Sequence, residues 1–267
     1  MLFRSQLPVG EYYTLMLFAI AGMMLMGAAK DLLIVFLALE IMSLGVYVMT
    51  GLRRQSEDGA EAAFKYFVLG AFSSAFFLYG IAFTYATTGT TRLDELSLRI
   101  AGTALEPNLL VILAIVFLMV GFAFKVGAVP FHMWTPDAYE GAPLPVTAVL
   151  SATSKAAAFA VILRLFSGPF LPAIDEWRGT IAILSLATMV VGNLVALQQH
   201  NLKRLLAYSS IAQVGYMLMA IVTISDASAS ALLLHMGGYL VTNLAVFMGV
   251  IAFYNHSGTE EMSGLHG

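Results

Sequence analysis

The chain has 267 residues, 60% of them hydrophobic and 11% charged, with a formal charge of −3 and no cysteine. A mean hydropathy of +0.85 excludes an ordinary soluble domain and a disordered chain, and the negative balance offers no basic field for nucleic acid. Without thiolates there is no disulfide framework and no Cys-ligated iron–sulfur or zinc centre; the histidines, at 132, 200, 235, 256 and 266, lack metal-ligand spacing, and no GxGxxG or P-loop is present to hold a nucleotide.

Apolar runs of about 20 residues, the length that crosses a bilayer as a helix, recur along the sequence. Apolar length and breaks at Gly, Pro or charge predict eight spans, at roughly 12–29, 32–51, 62–87, 108–134 (bent), 145–166, 180–199, 203–224 and 230–254. The runs are about twice the length of a barrel strand and lack period-2 alternation. The expected fold is therefore all-α, a polytopic transmembrane bundle whose backbone groups are satisfied inside helices. The first run exceeds a signal-peptide core and seven more follow it, so it reads as a span. Arg4, Arg53, Arg54, Lys203 and Arg204 fall on one side, and Lys30, Arg92, Arg99, Arg164 and Arg178 on the other. The compact pairs Arg53/Arg54 and Lys203/Arg204 favour the first side as cytoplasmic. Trp134 and Trp177 lie at span ends, as an aromatic belt has them.

A shift of 170 residues sets 22–83 on 192–253 without a gap, pairing Gly22 with Gly192, Gly45 with Gly215, Met49 with Met219 and Ile81-Ala82-Phe83 with Ile251-Ala252-Phe253. Identity is only about one in six, partly compositional. Spans one to three then correspond to spans six to eight, a unit of five helices whose odd number inverts the second copy. Residues 1–170 would form the first repeat and 171–267 part of the second, in one transmembrane domain. The register sets Lys65 opposite His235 and Glu40 opposite Ser210. The partner of Lys125 would stand near position 295, so the expectation is a fragment of a longer protein.

Glu40, Lys125 and Lys155 each lie well inside a span, where an unpaired charge costs a few kcal/mol or more. Lys125 precedes GAVP, in which Pro130 has no N–H for the Val126 carbonyl and crowds it, so the helix must kink or break, helped by Gly127. A break beside a lysine suits a hydrated proton site; the competing reading is a proline kink with a snorkelling lysine. Lys155 follows a helix start marked by Pro143 and Pro145, near Ser151 and Ser154. A nearby carboxylate favours a buried lysine's charged form and its withdrawal favours proton release, which a pump needs; the competing reading is a static pair with Glu40. Glu40 is the one carboxylate deep in a span, with Lys125 as its expected partner and Lys155 one step along. Lys65 and His235, each about a turn inside a span, are possible relays or a snorkelling lysine and a packing histidine. Tyr208, Ser209, Ser210, Asn193 and Asn243 read mainly as interhelical glue, Asp137 and Glu140 as a solvated turn, and His200, Lys203 and Arg204 as an interfacial turn.

The segments EAAFKYFVLGAFSSAFFLYGIA, FKVGAVPFHMWTPDAYEGAPLPVTAVLSATSKAAAFA and GNLVALQQHNLKRLLAYSSIAQVGYMLM together resemble the antiporter-like membrane subunits, chain N above all, of bacterial proton-pumping NADH:quinone oxidoreductase, respiratory complex I. Subunits of multi-subunit cation/proton antiporters and membrane-bound hydrogenases share the lysine and broken helix but differ around them. The resemblance implies a 14-helix core with two inverted five-helix repeats, of which this chain would be helices four to eleven. It implies that Glu40, Lys125 and Lys155 carry protons, with Lys65 and His235 at the polar positions of helices six and eleven; the twelfth-helix lysine has no counterpart. It further implies no cofactor on this chain, NADH, FMN, iron–sulfur clusters and quinone being handled by partner subunits, and a multi-pass place in the bacterial inner membrane beside other membrane subunits. A sodium/proton antiporter subunit, a hydrogenase subunit and a structural scaffold are the alternative readings.

Overall fold

A computed structural model describes residues 7–103 and 109–265; Arg4 and His266 lie outside the described residues. These form ten α-helices: α1 (Val9–Ala28), α2 (Leu32–Thr50), α3 (Glu57–Thr88), α4 (Leu93–Thr103), α5 (Leu109–Val126), α6 (Trp134–Gly141), α7 (Leu144–Phe166), α8 (Ile174–Ala196), α9 (Leu202–Thr223) and α10 (Asp226–Ser257). All of them except α4 and α6 are long and apolar enough to cross a bilayer, and they account for the eight expected spans.

Local chemistry marks their ends. Asp31 caps α2 by accepting from the Leu33 N–H at 2.8 Å, Ser56 caps α3 through the Gly59 N–H, Asn201 caps α9 through the Lys203 and Arg204 N–H groups, and Ser225 and Ser228 form a reciprocal capping box on α10. The α3 and α10 helices close on Gly89 and Gly258 at φ 71° and 75°, left-handed conformations that suit glycine. Both helices run 32 residues, about 48 Å at 1.5 Å per residue. They extend beyond the apolar stretches 62–87 and 230–254 because their caps lie in the polar flanks.

The fourth span is broken into α5 and α6 at the expected place, and one element departs from the expected order, α4, which lies between α3 and α5. Its buried Leu93, Leu96 and Ile100 recur at helical spacing while Leu98 is 79% exposed, an amphipathic pattern too short to span.

The helices form two sets. More than half of α2, α5 and α7 and half of α9 is buried, whereas α1, α3, α8 and α10 each bury a third or less of their apolar windows. The outer surface carries Leu17, Phe64, Phe72, Leu186 and Leu234, the apolar exterior a bilayer or neighbouring membrane chains require. Every deep charge is on the inner set: Glu40 on α2, Lys125 on α5 and Lys155 on α7.

Close helix contacts recur at the 170-residue spacing. A Cβ on Gly22 would meet the Met42 backbone N at 2.6 Å, and one on Gly192 would meet that of Ala212 at 2.6 Å; Gly45 packs on Leu15 and Ala19, and Gly215 on Ser185 and Met189. Backbone bridges join Asp31 to Arg92 and Asn201 to Glu261. Buried Leu232, Asn243, Phe247 and Val250 of α10 stand 170 residues from buried Ala62, Ser73, Phe77 and Gly80 of α3, although the caps of those helices differ by one residue less.

Gly192→Ala is expected to force α8 from α9 and to cost about 1–3 kcal/mol, the usual penalty of overpacking. Gly237, where an added Cβ would meet nothing within 4 Å, is expected to accept alanine within about 0.5 kcal/mol. Thermal unfolding midpoints of the detergent-solubilised protein compare the two.

Candidate functional site

The site is built around a helix break. The α5 helix ends at Val126, Gly127 turns the chain with φ 78°, and the Val129–Pro130 peptide is cis. Backbone groups released here find protein partners: Ala128 N–H donates to Ala123 O at 2.8 Å, Val129 N–H to Thr188 Oγ1 at 3.0 Å, and the Trp134 indole to Phe124 O at 2.8 Å. Only glycine fits at 127, because a Cβ would stand 2.7 Å from Thr135 Oγ1.

Lys125, 2% exposed, points from the last turn of α5 to Ser43 of α2 and donates to its Oγ at 2.8 Å. The Ser43 hydroxyl in turn donates to Leu39 O at 2.6 Å. The rings of Tyr47 and Tyr66 lie 5.6 and 5.8 Å from the ammonium, within cation–π range. The expected direct Glu40–Lys125 pair is not formed. Glu40 lies one turn before Ser43 on α2, but its carboxylate accepts from Ser74 of α3, and no salt bridge joins Glu40 to a lysine among the described residues. Its charge still acts on Lys125 electrostatically. The two are separated because their side chains turn to different serines, a choice that spacing along one helix does not specify.

Lys155, 1% exposed, lies on α7 and donates to Ser210 of α9, so a static pair with Glu40 is also not formed. Ser210 is a junction. The Tyr239 oxygen of α10 lies 2.9 Å from it, and that of Tyr139 of α6 lies 3.1 Å away. The Ser151 carbonyl can only accept, so the one Tyr239 O–H is shared between that carbonyl and Ser210, and the Ser210 proton is available to either phenol oxygen. The Tyr139 ring lies 5.8 Å from the Lys155 ammonium. Asn243 and Tyr239 bond each other at 3.3 Å and reach the Ser151 Oγ and carbonyl at 2.5 and 3.0 Å.

A polar cleft of about 540 Å³ opens at the end of the bundle that carries Arg53 and Lys203. Lys65 lines it, paired with Glu61 at 2.7 Å and Asp137 at 3.1 Å, while Arg204 holds Asp137 and Glu140 at 3.0 and 2.7 Å. Asp137 and Glu140 thus belong to α6 and an ionic network rather than a solvated turn. Lys203 is buried rather than interfacial: it donates to the carbonyls of Glu140 and Ala142 and pairs with Glu260 at 2.8 Å. His235 is exposed. It stands one turn before Tyr239 on α10, the spacing that puts two side chains on one helix face, and no hydrogen bond joins it to the buried cluster among the described residues.

Residues 29–267 match the family described as NADH:quinone oxidoreductase/Mrp antiporter, TM. The chain belongs to this family. NADH-quinone oxidoreductase subunit N 2 of Rhizobium meliloti (strain 1021) is 48% identical over 252 residues, 94% of this chain and 52% of that protein. A chain of respiratory complex I from Thermus thermophilus with bound Aureothin superposes with a TM-score of 0.77 at 41% identity, covering 90% of this chain and 51% of that one. A chain of the Mrp complex from Dietzia sp. DQ12-45-1b gives 0.80 at 25% identity, covering 90% and 44%. The chain spans about half the length of the curated relatives it matches.

Within this family's antiporter-like fold, sequence reading singled out both buried lysines, Glu40 and the break, but missed Ser43, Ser74, Tyr47, Tyr66, Tyr139 and Tyr239. Serines and tyrosines are common in apolar spans, and nothing in their spacing separates a lysine's neighbour from packing. Ser210→Ala is expected to leave the Lys155 ammonium and the Tyr139 phenol short of a partner, at about 1–3 kcal/mol. The thermal midpoint of the solubilised protein should fall more than for Ser209→Ala, whose serine is only partly buried.

Proposed function

We propose that this chain forms the proton-translocating core of an antiporter-like membrane subunit of NADH:quinone oxidoreductase. Protons move through Glu40, Lys125 and Lys155, driven by NADH oxidation and quinone reduction in partner subunits that carry NADH, FMN, iron–sulfur clusters and quinone. The complex would sit in the bacterial inner membrane, this chain contacting lipid and other membrane subunits. The observation that carries the reading is the pair of buried lysines, Lys125 at the helix break and Lys155 on α7, each held by a serine hydroxyl rather than a carboxylate. A buried ammonium without a fixed counter-charge holds its proton only as firmly as its surroundings allow. The identity to a subunit N relative adds weight.

In this mechanism Glu40 favours the charged form of Lys125 while its carboxylate stays near, anchored by Ser74. When the complex draws that charge away, Lys125 gives up its proton and Lys155 accepts it. Lys65 would supply protons from the polar cleft it lines, and His235 would extend the path along α10. We further propose that residues 1–170 and 171–267 belong to two inverted repeats, supported by the glycine contacts that recur 170 residues apart.

A sodium/proton antiporter subunit is the second reading, favoured by the fold shared with the Mrp complex. Lys125→Met, made in the assembled full-length complex, is expected to remove most proton pumping without dependence on sodium. Proton uptake into inverted vesicles during NADH oxidation measures this. Wild-type proton yield would overturn the assignment and favour a scaffold role for the buried charges, and transport that requires sodium would favour the antiporter.

A further inference from the structure

Among the described residues no chain of direct hydrogen bonds joins the two lysine clusters, yet the groups packed beside them have a definite chemical character. Tyr66 is fully buried, and its hydroxyl has no hydrogen-bond partner among the described residues; the same is true of Thr135 Oγ1. Both belong to the break. Thr135 lies against Gly127, two residues from Lys125, and the Tyr66 ring stacks on Trp134 at 4.1 Å with the planes 3° apart. Tyr47 meets Tyr66 edge-on at 4.5 Å, so the ring is fixed between two neighbours and its hydroxyl has a fixed place.

That place relates to both lysines. Lys125 lies over the Tyr66 ring, and Tyr66 is packed in one buried cluster with Tyr47, beside Lys125, and Tyr139, beside Lys155. Two buried hydroxyls left unpaired in one region are costly unless water satisfies them, and a buried water characteristically bonds to groups of this kind.

We propose that protons pass from Lys125 to Lys155 through the helix break, on water held by Tyr66 Oη and Thr135 Oγ1, with Tyr66 as the station that faces both clusters. The Lys125 ammonium gives a proton to a water. That water gives one to the Tyr66 oxygen as the phenol releases its own to the next water, and neutral Lys155 accepts the last. No charge stays on the phenol and no bond other than O–H and N–H changes. The proposal rests on the reading of Lys125 and Lys155 as proton carriers.

The test is Tyr66→Phe beside Lys125→Met in the assembled full-length complex, reading protons pumped per NADH oxidised and the solvent deuterium isotope effect on pumping. Phenylalanine keeps the stack on Trp134 and removes only the hydroxyl. The expected result is a several-fold loss of pumping at normal complex content, with a changed isotope effect. Normal pumping in Tyr66→Phe with pumping lost in Lys125→Met overturns the Tyr66 station alone; normal pumping in both overturns the proton path and this proposal with it. Where Tyr66→Phe fails to assemble, difluorotyrosine incorporated at position 66 keeps the shape and acidifies the phenol. A relay then shows an altered pumping rate and isotope effect, and unchanged values overturn it.

Discussion

Two ammonium groups buried among α2, α3, α5, α6, α7 and α9, met by serine hydroxyls and tyrosine faces rather than by carboxylates, are the constraint on which the rest of the molecule depends. Ionised groups at such depth cost several kcal/mol even after partial compensation. The surroundings of Lys125 and Lys155 reduce that cost without cancelling it. Ser43 and Ser210 each offer one oxygen, and three tyrosine rings offer the negative faces of their π systems. An ion pair would hold each proton more firmly. Neutral partners leave both lysines responsive to a distant change of charge, a requirement for transfer rather than for stability.

The helix break follows from the same constraint. A continuous helix through residues 123–135 would tie its peptide groups to one another and offer nothing to a proton at depth. Instead Gly127 and Pro130 end the ladder, and the released groups are taken by Thr188 and by the Trp134 indole. Trp134 thereby connects the end of α5 to the start of α6 and supplies the plane on which Tyr66 rests. Backbone repair and the placement of the central phenol are one structural solution. The ionic network at the cleft steadies the far end of α6, since Arg204 holds Asp137 and Glu140 while Lys203 caps the carbonyls of Glu140 and Ala142.

How much of this was legible in the sequence depends on the kind of signal. Hydropathy located every long helix, because a bilayer filters for about 20 apolar residues whatever their neighbours. Pro130 with Gly127 announced the break, a property of backbone chemistry alone. The amphipathic α4 was too short for that filter, and the 32-residue α3 and α10 outran it because their caps are polar. Pairing was the least legible. Glu40 and Lys125 are the obvious opposite charges, but their side chains divide between Ser74 and Ser43, a decision made by how α2, α3 and α5 rotate against one another. Asp137, read as a turn residue, is claimed by Lys65 from 72 residues away, and only tertiary packing sets that contact.

The two lysines also differ in a way that bears on direction. In the 170-residue register Glu40 corresponds to Ser210, so the position that presents a carboxylate near Lys125 presents a hydroxyl to Lys155. A charge on Glu40 can be moved, and its movement changes the balance at Lys125 most strongly because Coulomb interaction falls with distance and rises in low dielectric. Ser210 has no charge to move. It accepts from Lys155 and stands within hydrogen-bond distance of Tyr139 and Tyr239, so Lys155 sits among neutral hydroxyls that can exchange donor and acceptor roles by rotation. In the proposed path an actuated group is followed by a passive acceptor, and the difference between Glu40 and Ser210 would give that transfer its sense.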